Sequence, residues 1–338
     1  MVRRFPIKFL VAGQIRNEFI IDTRGKLTAN ITGGSLLYAA ASIKQWGGQV
    51  GLLTVVNNTF TSATLSELEK ASFDIRGIKI ADDNFDFRSF LAYPNAQTCI
   101  VDDPVAVFAA NNLQFPRELI DYGYDREEPS KPSIDLYSRI LMENIPQDYL
   151  NAAAAHICPL EITSQIKLAT MLQNGAVRTL TIQLHQSAMK PTHMDEIAVL
   201  AKDASALIVD EMELRTLFLT RTDNLSEMLA LLGSFGCSSV VVKNNITGFT
   251  VYDVYSAATF FVPDYPVMVT DPTGALDVFC GAFLTKFHES NDPLEAAILG
   301  SAAASIKKEG SGPFSIFSSL PGLDEARMVD IRNRVVEL

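Results

Sequence analysis

The sequence predicts a doubly wound α/β fold: a mostly parallel sheet with helices on both faces and a small β-sheet lid. Three observations predict it. Short apolar runs recur at 7–12 (IKFLVA), 50–56 (VGLLTVV), 178–184 (RTLTIQL), 206–209 (ALIV) and 239–243 (SVVVK), as in strands buried on both faces. Helical periodicity fills the intervals between them, the rhythm of repeated strand–helix units. Two segments, 15–31 and 84–110, instead alternate polar and apolar residues and read as strands with one wetted face. The 338 residues, 48% hydrophobic and 20% charged, can bury a sizeable core, and a single domain over 1–338 accommodates the pattern.

Taken in order, FLVA is the first buried strand. Residues 34–46 place Leu36, Ala40 and Ile43 on one helical face and stop at Gly47-Gly48, where glycine suits a helix C-terminus. Further helices are expected at 61–72, 162–174, 192–203, 224–235, 274–289 and 293–308. The lid strands are inserted at 15–31 and 84–110. Residues 121–133 are polar with two prolines and read as an exposed loop; FFVPDYPVMVTD (260–271) reads as strand, turn and strand. No internal repeat interrupts this order.

Composition excludes several classes. The net charge is −11 with no long basic run, so nucleic acid is not an expected partner. Cys99, Cys158, Cys237 and Cys280 form no CxxC pair and read as buried thiols. The N-terminus lacks the long apolar region of a signal peptide, and no run approaches ~20 apolar residues, so no membrane span is expected and the cytoplasm is the default. No GxxxxGK[ST], GxGxxG or GxSxG motif is placed as its chemistry requires. His185 and His193 are eight apart with no carboxylate partner at metal spacing, and all four histidines, His156, His185, His193 and His288, read as structural or solvent-facing.

The chemistry concentrates in VMVTDPTGALDVFCGAF (267–283). A strand is expected to end at Thr270, Asp271 to Gly274 to turn, and a helix to start near Gly274. The first helical turn leaves N–H groups unpaired and carries partial positive charge, which suits a phosphate. Asp277 in that turn can accept a proton from a substrate hydroxyl while those amides stabilise a transferring phosphoryl group. A purely structural account remains open: Asp271 or Thr273 as a cap, with Asp277 complementing the dipole.

Asp271-Pro272-Thr273-Gly274-Ala275-Leu276-Asp277-Val278-Phe279 resembles the D-T-x-G-A-G-D-x-F motif of the ribokinase-like carbohydrate and nucleoside kinases, the PfkB family. Gly281-Ala282-Phe283 continues it, and Leu276 departs from the family glycine. The resemblance implies an anion hole from the amides of Gly274, Ala275 and Leu276, with Asp277 as base. Four further segments match in order. Thr32-Gly33-Gly34 and the helix after it are similar to the family's N-terminal diglycine motif, with Tyr38 at an Asn position. Asn17 stands where an Asp contacts sugar hydroxyls, so Asn17, Gly33, Gly34 and Tyr38 are the implied substrate contacts. LIVDEMELRTL (207–217) resembles N-x-x-E, which implies Mg²⁺ near Asp210 and Glu213. VVVKNNITGFTVYD (240–253) and EAAILGSAAASIKKEGSGP (295–313) resemble the nucleotide side, implying ATP contacts at Lys243, Gly248, Thr273 and Ser301. Each also has a bland account: a helix N-terminus at 210–213, core packing for Tyr38, and close helix packing for the alanines.

The implied activity is transfer of the ATP γ-phosphate to a hydroxyl of a sugar, polyol or nucleoside, with Mg²⁺ and K⁺ as candidate cofactors. The small-molecule substrate would lie under the lid, whose one-faced strands admit a homodimer. The alternative is a catalytically degenerate member that binds a nucleotide or sugar as a sensor, motivated by Leu276, Asn17 and Tyr38.

Overall fold

The computed structural model describes residues 7–82, 86–123, 145–245 and 247–338. The loop expected at 121–133 lies outside the described residues from 124 onward. The five apolar runs become strands β1 (Phe9–Ala12), β4 (Val50–Asn57), β9 (Thr179–Gln183), β10 (Ala206–Asp210) and β11 (Ser239–Asn244). Two further parallel strands join them, β5 (Asp74–Ala81) and β8 (Ala154–Ile157). The sheet runs β11-β10-β9-β8-β1-β4-β5 in parallel. It is extended past β11 by antiparallel β12 (Gly248–Asp253), β13 (Ala258–Pro263) and β14 (Val336–Glu337).

Helices cover both faces, as continuous apolar strands require. On one side lie α4 (Ile162–Gln173), α5 (Met194–Ala201), α6 (Glu211–Leu217) and α7 (Leu225–Ser234), whose Leu168, Leu200, Leu214 and Leu229 join one core cluster. On the other lie α1 (Ser35–Trp46), α2 (Ser62–Lys70), α8 (Ala275–Ser290) and α9 (Pro293–Lys308), with α10 (Leu323–Asn333) outside α9. Small residues let these helices approach closely. A methyl group on Gly281 of α8 would meet the Ala39 carbonyl and the Ser42 side chain of α1.

The lid is a separate four-stranded sheet ordered β3-β2-β6-β7: β2 (Arg16–Ile21), β3 (Leu27–Gly33), β6 (Arg88–Asn95) and β7 (Thr98–Ile100). Phe19, Ile21, Phe90 and Ala92 make its apolar face, closed by Phe108. Two expectations need correction. The last part of 84–110 is not a strand but helix α3 (Pro104–Ala110), where Asp103 caps the Ala106 amide and Pro104 occupies the first turn. The second strand expected in FFVPDYPVMVTD is also absent. The chain after Pro263 is irregular, and the Thr270 and Asp271 amides donate to the Lys308 carbonyl of α9. Pro263 and Pro266 have no amide to give a sheet ladder.

Candidate active site

The carboxyl ends of the parallel strands open toward the lid, the end at which α/β sheets of this type bind ligands. Three tethers hold the lid there. Beyond β2, the Thr23 hydroxyl donates to the carbonyls of Val269 (2.8 Å) and Thr270 (3.0 Å). The Thr273 hydroxyl donates to the Tyr93 hydroxyl of β6 at 3.1 Å. Tyr38 of α1 donates its hydroxyl to Glu18 of β2 at 2.8 Å. The turn Asp271–Gly274 is thereby fixed between lid and core.

Gly274 is the N-cap of α8, with φ 71° and ψ 8°, a left-handed conformation that favours glycine. A side chain there would overlap the ring of Tyr38, which lies against the Gly274 backbone. The first turn of α8 exposes donors as expected, with one correction. The Ala275 amide is spent on the Pro272 carbonyl at 3.1 Å. The Gly274 and Leu276 amides have no acceptor among the described residues. Leu276 sits inside the helix, outside the positive-φ residues, and its side chain packs, partly buried, on the core. The amide is kept without backbone strain, so this departure does not disturb the turn.

Asp277 follows in the same turn, without an ion-pair partner among the described residues. Burial pushes its carboxyl up to about 6, opposed by its own backbone amide. Its charge is felt by Cys158 just beyond β8, by Cys280, and by Glu18. It therefore stands at the carboxyl end of the central strands, facing the lid.

Glu18 is the residue that sequence reasoning missed. Its buried carboxylate accepts the Gly34 amide at 2.8 Å and the Tyr38 hydroxyl, and it lies against Gly33, where a side chain would overlap it. Burial pushes Glu18 up to about 7, eased by the Tyr38 and Gly34 hydrogen bonds and raised again by Asp271 and Asp277. Gly33 and Gly34 thus admit Glu18 and the Gln14–Arg16 backbone; a side chain on Gly34 would meet the Gln14 carbonyl at 2.5 Å. Asn17 points elsewhere. It lines a cavity of about 530 Å³ under the lid with Asn30, Asn57, Phe19, Phe87 and Arg88. The signal for Glu18 was available as a charged residue within the buried run of β2, one position from Asn17. A larger cavity of about 840 Å³ beside Ile166, Met171 and Arg178 lies at the amino ends of β8 and β9, away from Asp277.

The nucleotide-side residues separate. The Lys243 ammonium donates to the Asn245 carbonyl at 2.9 Å and lies 3.7 Å from Asp210. Gly248, at φ 145°, lets β12 approach the Val262 carbonyl of β13. Ser301 is buried, and its hydroxyl donates to the Pro263 carbonyl at 3.0 Å, tying α9 to the end of β13. Gly248 and Ser301 therefore hold backbone together. Asp210 caps α6 by accepting the Met212 amide at 2.9 Å. Glu213 is pushed up to about 7 by burial and then by the Asp210 charge. Two like charges drawn this close suit a hard cation that takes one or two carboxylates and completes its shell with phosphate and water. No cluster of three or more metal-ligating side chains exists among the described residues.

Comparison with known proteins settles the family. The model of the pfkB family carbohydrate kinases matches residues 19–316. The chain belongs to the pfkB family. Among curated proteins, it is 24% identical over 319 residues to a cytidine kinase of Thermococcus kodakarensis, covering 92% of this chain and all of that one. Among solved structures, an Escherichia coli protein crystallised with ATP and Mg²⁺ under the name ribokinase II superposes with a TM-score of 0.68 at 19% identity, covering 97% and 99% of the two chains. The nucleoside kinase of Burkholderia thailandensis with inosine gives 0.66 at 13% identity (96% and 99%). That of Methanocaldococcus jannaschii gives 0.64 at 15% (97% and 100%). The structural likenesses establish the fold, a mostly parallel sheet with a small lid sheet, and the family match makes the chain a kinase of the pfkB carbohydrate class. No helix among the described residues is long and apolar enough to cross a membrane.

Proposed function

We propose that this pfkB-family chain transfers the γ-phosphate of ATP to a hydroxyl of a nucleoside held beneath the lid. The observation that carries the reading is Asp277: a carboxylate without an ion pair, in the first turn of α8, beside the unpaired amides of Gly274 and Leu276. With its carboxyl pushed up to about 6, Asp277 is ionised at neutral pH yet basic enough to take a hydroxyl proton as the bond to phosphorus forms. The amides and the α8 dipole face the charge that develops on the transferring phosphoryl oxygens. Asp210 and Glu213 would hold Mg²⁺, which supplies charge neutralisation on the phosphates.

A nucleoside acceptor is supported by the cavity that Asn17 lines. Two amide side chains in its lining, Asn17 and Asn30, carry both donors and acceptors for a base edge, and Phe87 stands beside them. Its volume, about 530 Å³, is within the range of small-molecule sites. The named activity of the T. kodakarensis relative, a cytidine kinase, agrees with this choice. The sensor alternative was motivated by Leu276, Asn17 and Tyr38, and the helical geometry of Leu276 weighs against the first of these. The test is ATP and Mg²⁺ with separate panels of nucleosides, sugars and polyols, read by mass spectrometry, with Asp277→Asn as control. Nucleoside monophosphate that disappears in the variant supports the proposal. Sugar phosphate alone overturns the acceptor class, and nucleotide binding without any product moves the chain to the sensor reading. A homodimer through the outer edges of the lid belongs to the same proposal and is checked by light scattering.

A further inference from the structure

The side chains that the proposed chemistry leaves unused include one buried cation. Lys307, in the last turn of α9, is fully buried, and so is Asp271. The Lys307 ammonium donates to the Gly310 carbonyl at 2.8 Å and the Asp271 carbonyl at 3.2 Å, and lies 3.5 Å from the Asp271 carboxylate. The ring of Tyr38 covers it, 5.4 Å from ammonium to centroid. Burial lowers its pKa, while Asp271 and Glu18 oppose the shift and favour the charged form. A buried ammonium persists only where such partners replace water.

The surroundings of this ammonium are those a small monovalent cation takes. They comprise two backbone carbonyls, one carboxylate and one aromatic face, arranged around a compact point charge. The carbonyls at the end of α9 add the negative end of a helix dipole. The cage is also built from the catalytic turn itself. Asp271 begins the turn that ends at Gly274, its side chain accepts the Thr273 amide at 2.9 Å, and the Thr270 and Asp271 amides bond to the Lys308 carbonyl. Tyr38, the other wall, rests on Gly274. Whatever holds the cage holds the turn from which the Gly274 and Leu276 amides project.

We propose that Lys307 is a tethered monovalent cation, a positioning residue that fixes the Asp271–Gly274 turn and makes a dissociable K⁺ unnecessary. A second cation in the same cage would meet the ammonium charge at a few ångströms, so internal and external cations are mutually exclusive. The proposal rests on the kinase reading for its rate effect, but its ion-binding half stands on the cage alone.

The experiment compares wild type, Lys307→Met and Lys307→Ala in Na⁺, K⁺, NH₄⁺ and choline at constant ionic strength. Melting temperature and phosphoryl transfer are both read. Wild type is expected to melt and turn over alike in all four. The variants should lose about 100-fold in kcat, the scale of removing an aligned oxyanion donor. In Lys307→Ala, K⁺ or NH₄⁺ should restore at least about tenfold of that loss and raise the melting temperature, as mass action requires of an ion bound by the folded state. Wild type stimulated by K⁺ overturns the proposal. So does an alanine variant with unchanged kcat, and so does loss in both variants with no response to any ion, which assigns Lys307 to packing. If wild type phosphorylates no acceptor, the kinase reading fails by itself, and the ion-specific melting shift of Lys307→Ala still decides the cage.

Discussion

The contact between Gly274 and Tyr38 can be tested by a double-mutant cycle. Gly274→Ala imposes two separable costs. Its φ of 71° lies in the left-handed region, where a Cβ costs roughly 1–2 kcal/mol. The new methyl also overlaps the buried ring of Tyr38, and overpacking of this kind costs about 1–3 kcal/mol. The sum is about 2–5 kcal/mol of stability in the wild-type background. Tyr38→Ala carries its own cavity cost of about 3–5 kcal/mol but removes the ring. In that background Gly274→Ala should cost only the φ component, roughly 1–2 kcal/mol. The coupling is therefore about 1–3 kcal/mol, read from urea unfolding of the four proteins with free energies compared at common slope. The rate should respond more steeply than stability, because the ring can yield only by moving the turn that carries the anion-binding amides. A fall in kcat of about 100-fold, with nucleotide affinity changed far less, is expected for Gly274→Ala. Strict additivity of the two substitutions, within about 0.5 kcal/mol, would refute the contact and with it the account of why this turn is rigid.

Other perturbations have equally definite outcomes. Asp277→Asn should lower kcat by about 10²–10⁴-fold while leaving nucleotide binding in place, measured by turnover and by nucleotide-induced thermal shift. In the wild type, kcat/KM should fall as pH drops through about 6, because a protonated Asp277 cannot accept a proton; a flat profile from pH 5 to 8 would exclude it as base. Glu18 binds its proton more tightly folded than unfolded, with a folded value of about 7 against the ordinary 4.5. Its contribution to stability is therefore full below about 4.5 and lost as pH rises through about 7. Glu18→Gln should abolish that decline, on the order of 1–3 kcal/mol between pH 5 and 8, as read by chemical denaturation. Leu276→Gly should cost about 2–4 kcal/mol in stability, roughly 1 from the helix penalty of glycine and the rest from the lost packing of the partly buried side chain, and should not raise kcat. A several-fold rate gain would show that the leucine side chain obstructs the phosphate.

The sheet was legible in the sequence where apolar runs were β-branched and hid where they were not. Val50–Asn57 and Ser239–Asn244 stand out in composition. β8 is AAHI, and alanine and histidine carry little strand preference; its place in the centre of the sheet comes from its neighbours β1 and β9. Even its His156 is absorbed, donating or accepting with Thr181 at 2.9 Å and pushed down to about 3 by burial. The seven helices expected were read within a residue or two because their starts were chemical: Asp292 caps α9 ahead of Pro293, and Asn224 caps α7; α3, α6 and α10 were not foreseen. The stretch after Pro263 misled because VMVT has strand composition, yet its Thr270 amide is claimed by the Lys308 carbonyl and its Val269 and Thr270 carbonyls by Thr23. Composition reports preference, whereas pairing depends on where the partners lie.

The site divides along the same line. The turn and Asp277 were readable because their chemistry is local: a turn, a helix N-terminus and a carboxylate within seven residues of sequence, Asp271 to Asp277. Glu18 was not, because its role exists only through partners sixteen and twenty residues away, Gly34 and Tyr38. A strand alternates faces at every residue, so a one-position difference between Asn17 and Glu18 exchanges the cavity under the lid for the buried cluster at Gly274. That exchange bears on chemistry. Glu18, Tyr38 and Lys307 contact one another or the same turn, and each compensates another's charge or volume. Tyr38 satisfies Glu18 and covers Lys307, Lys307 offsets Asp271, and Gly274 leaves room for Tyr38. Read singly, Tyr38 was a substrate contact or a core residue; as a cluster, these residues form a closed polar core that supports the turn, and disturbing any one should be felt in the geometry around Asp277.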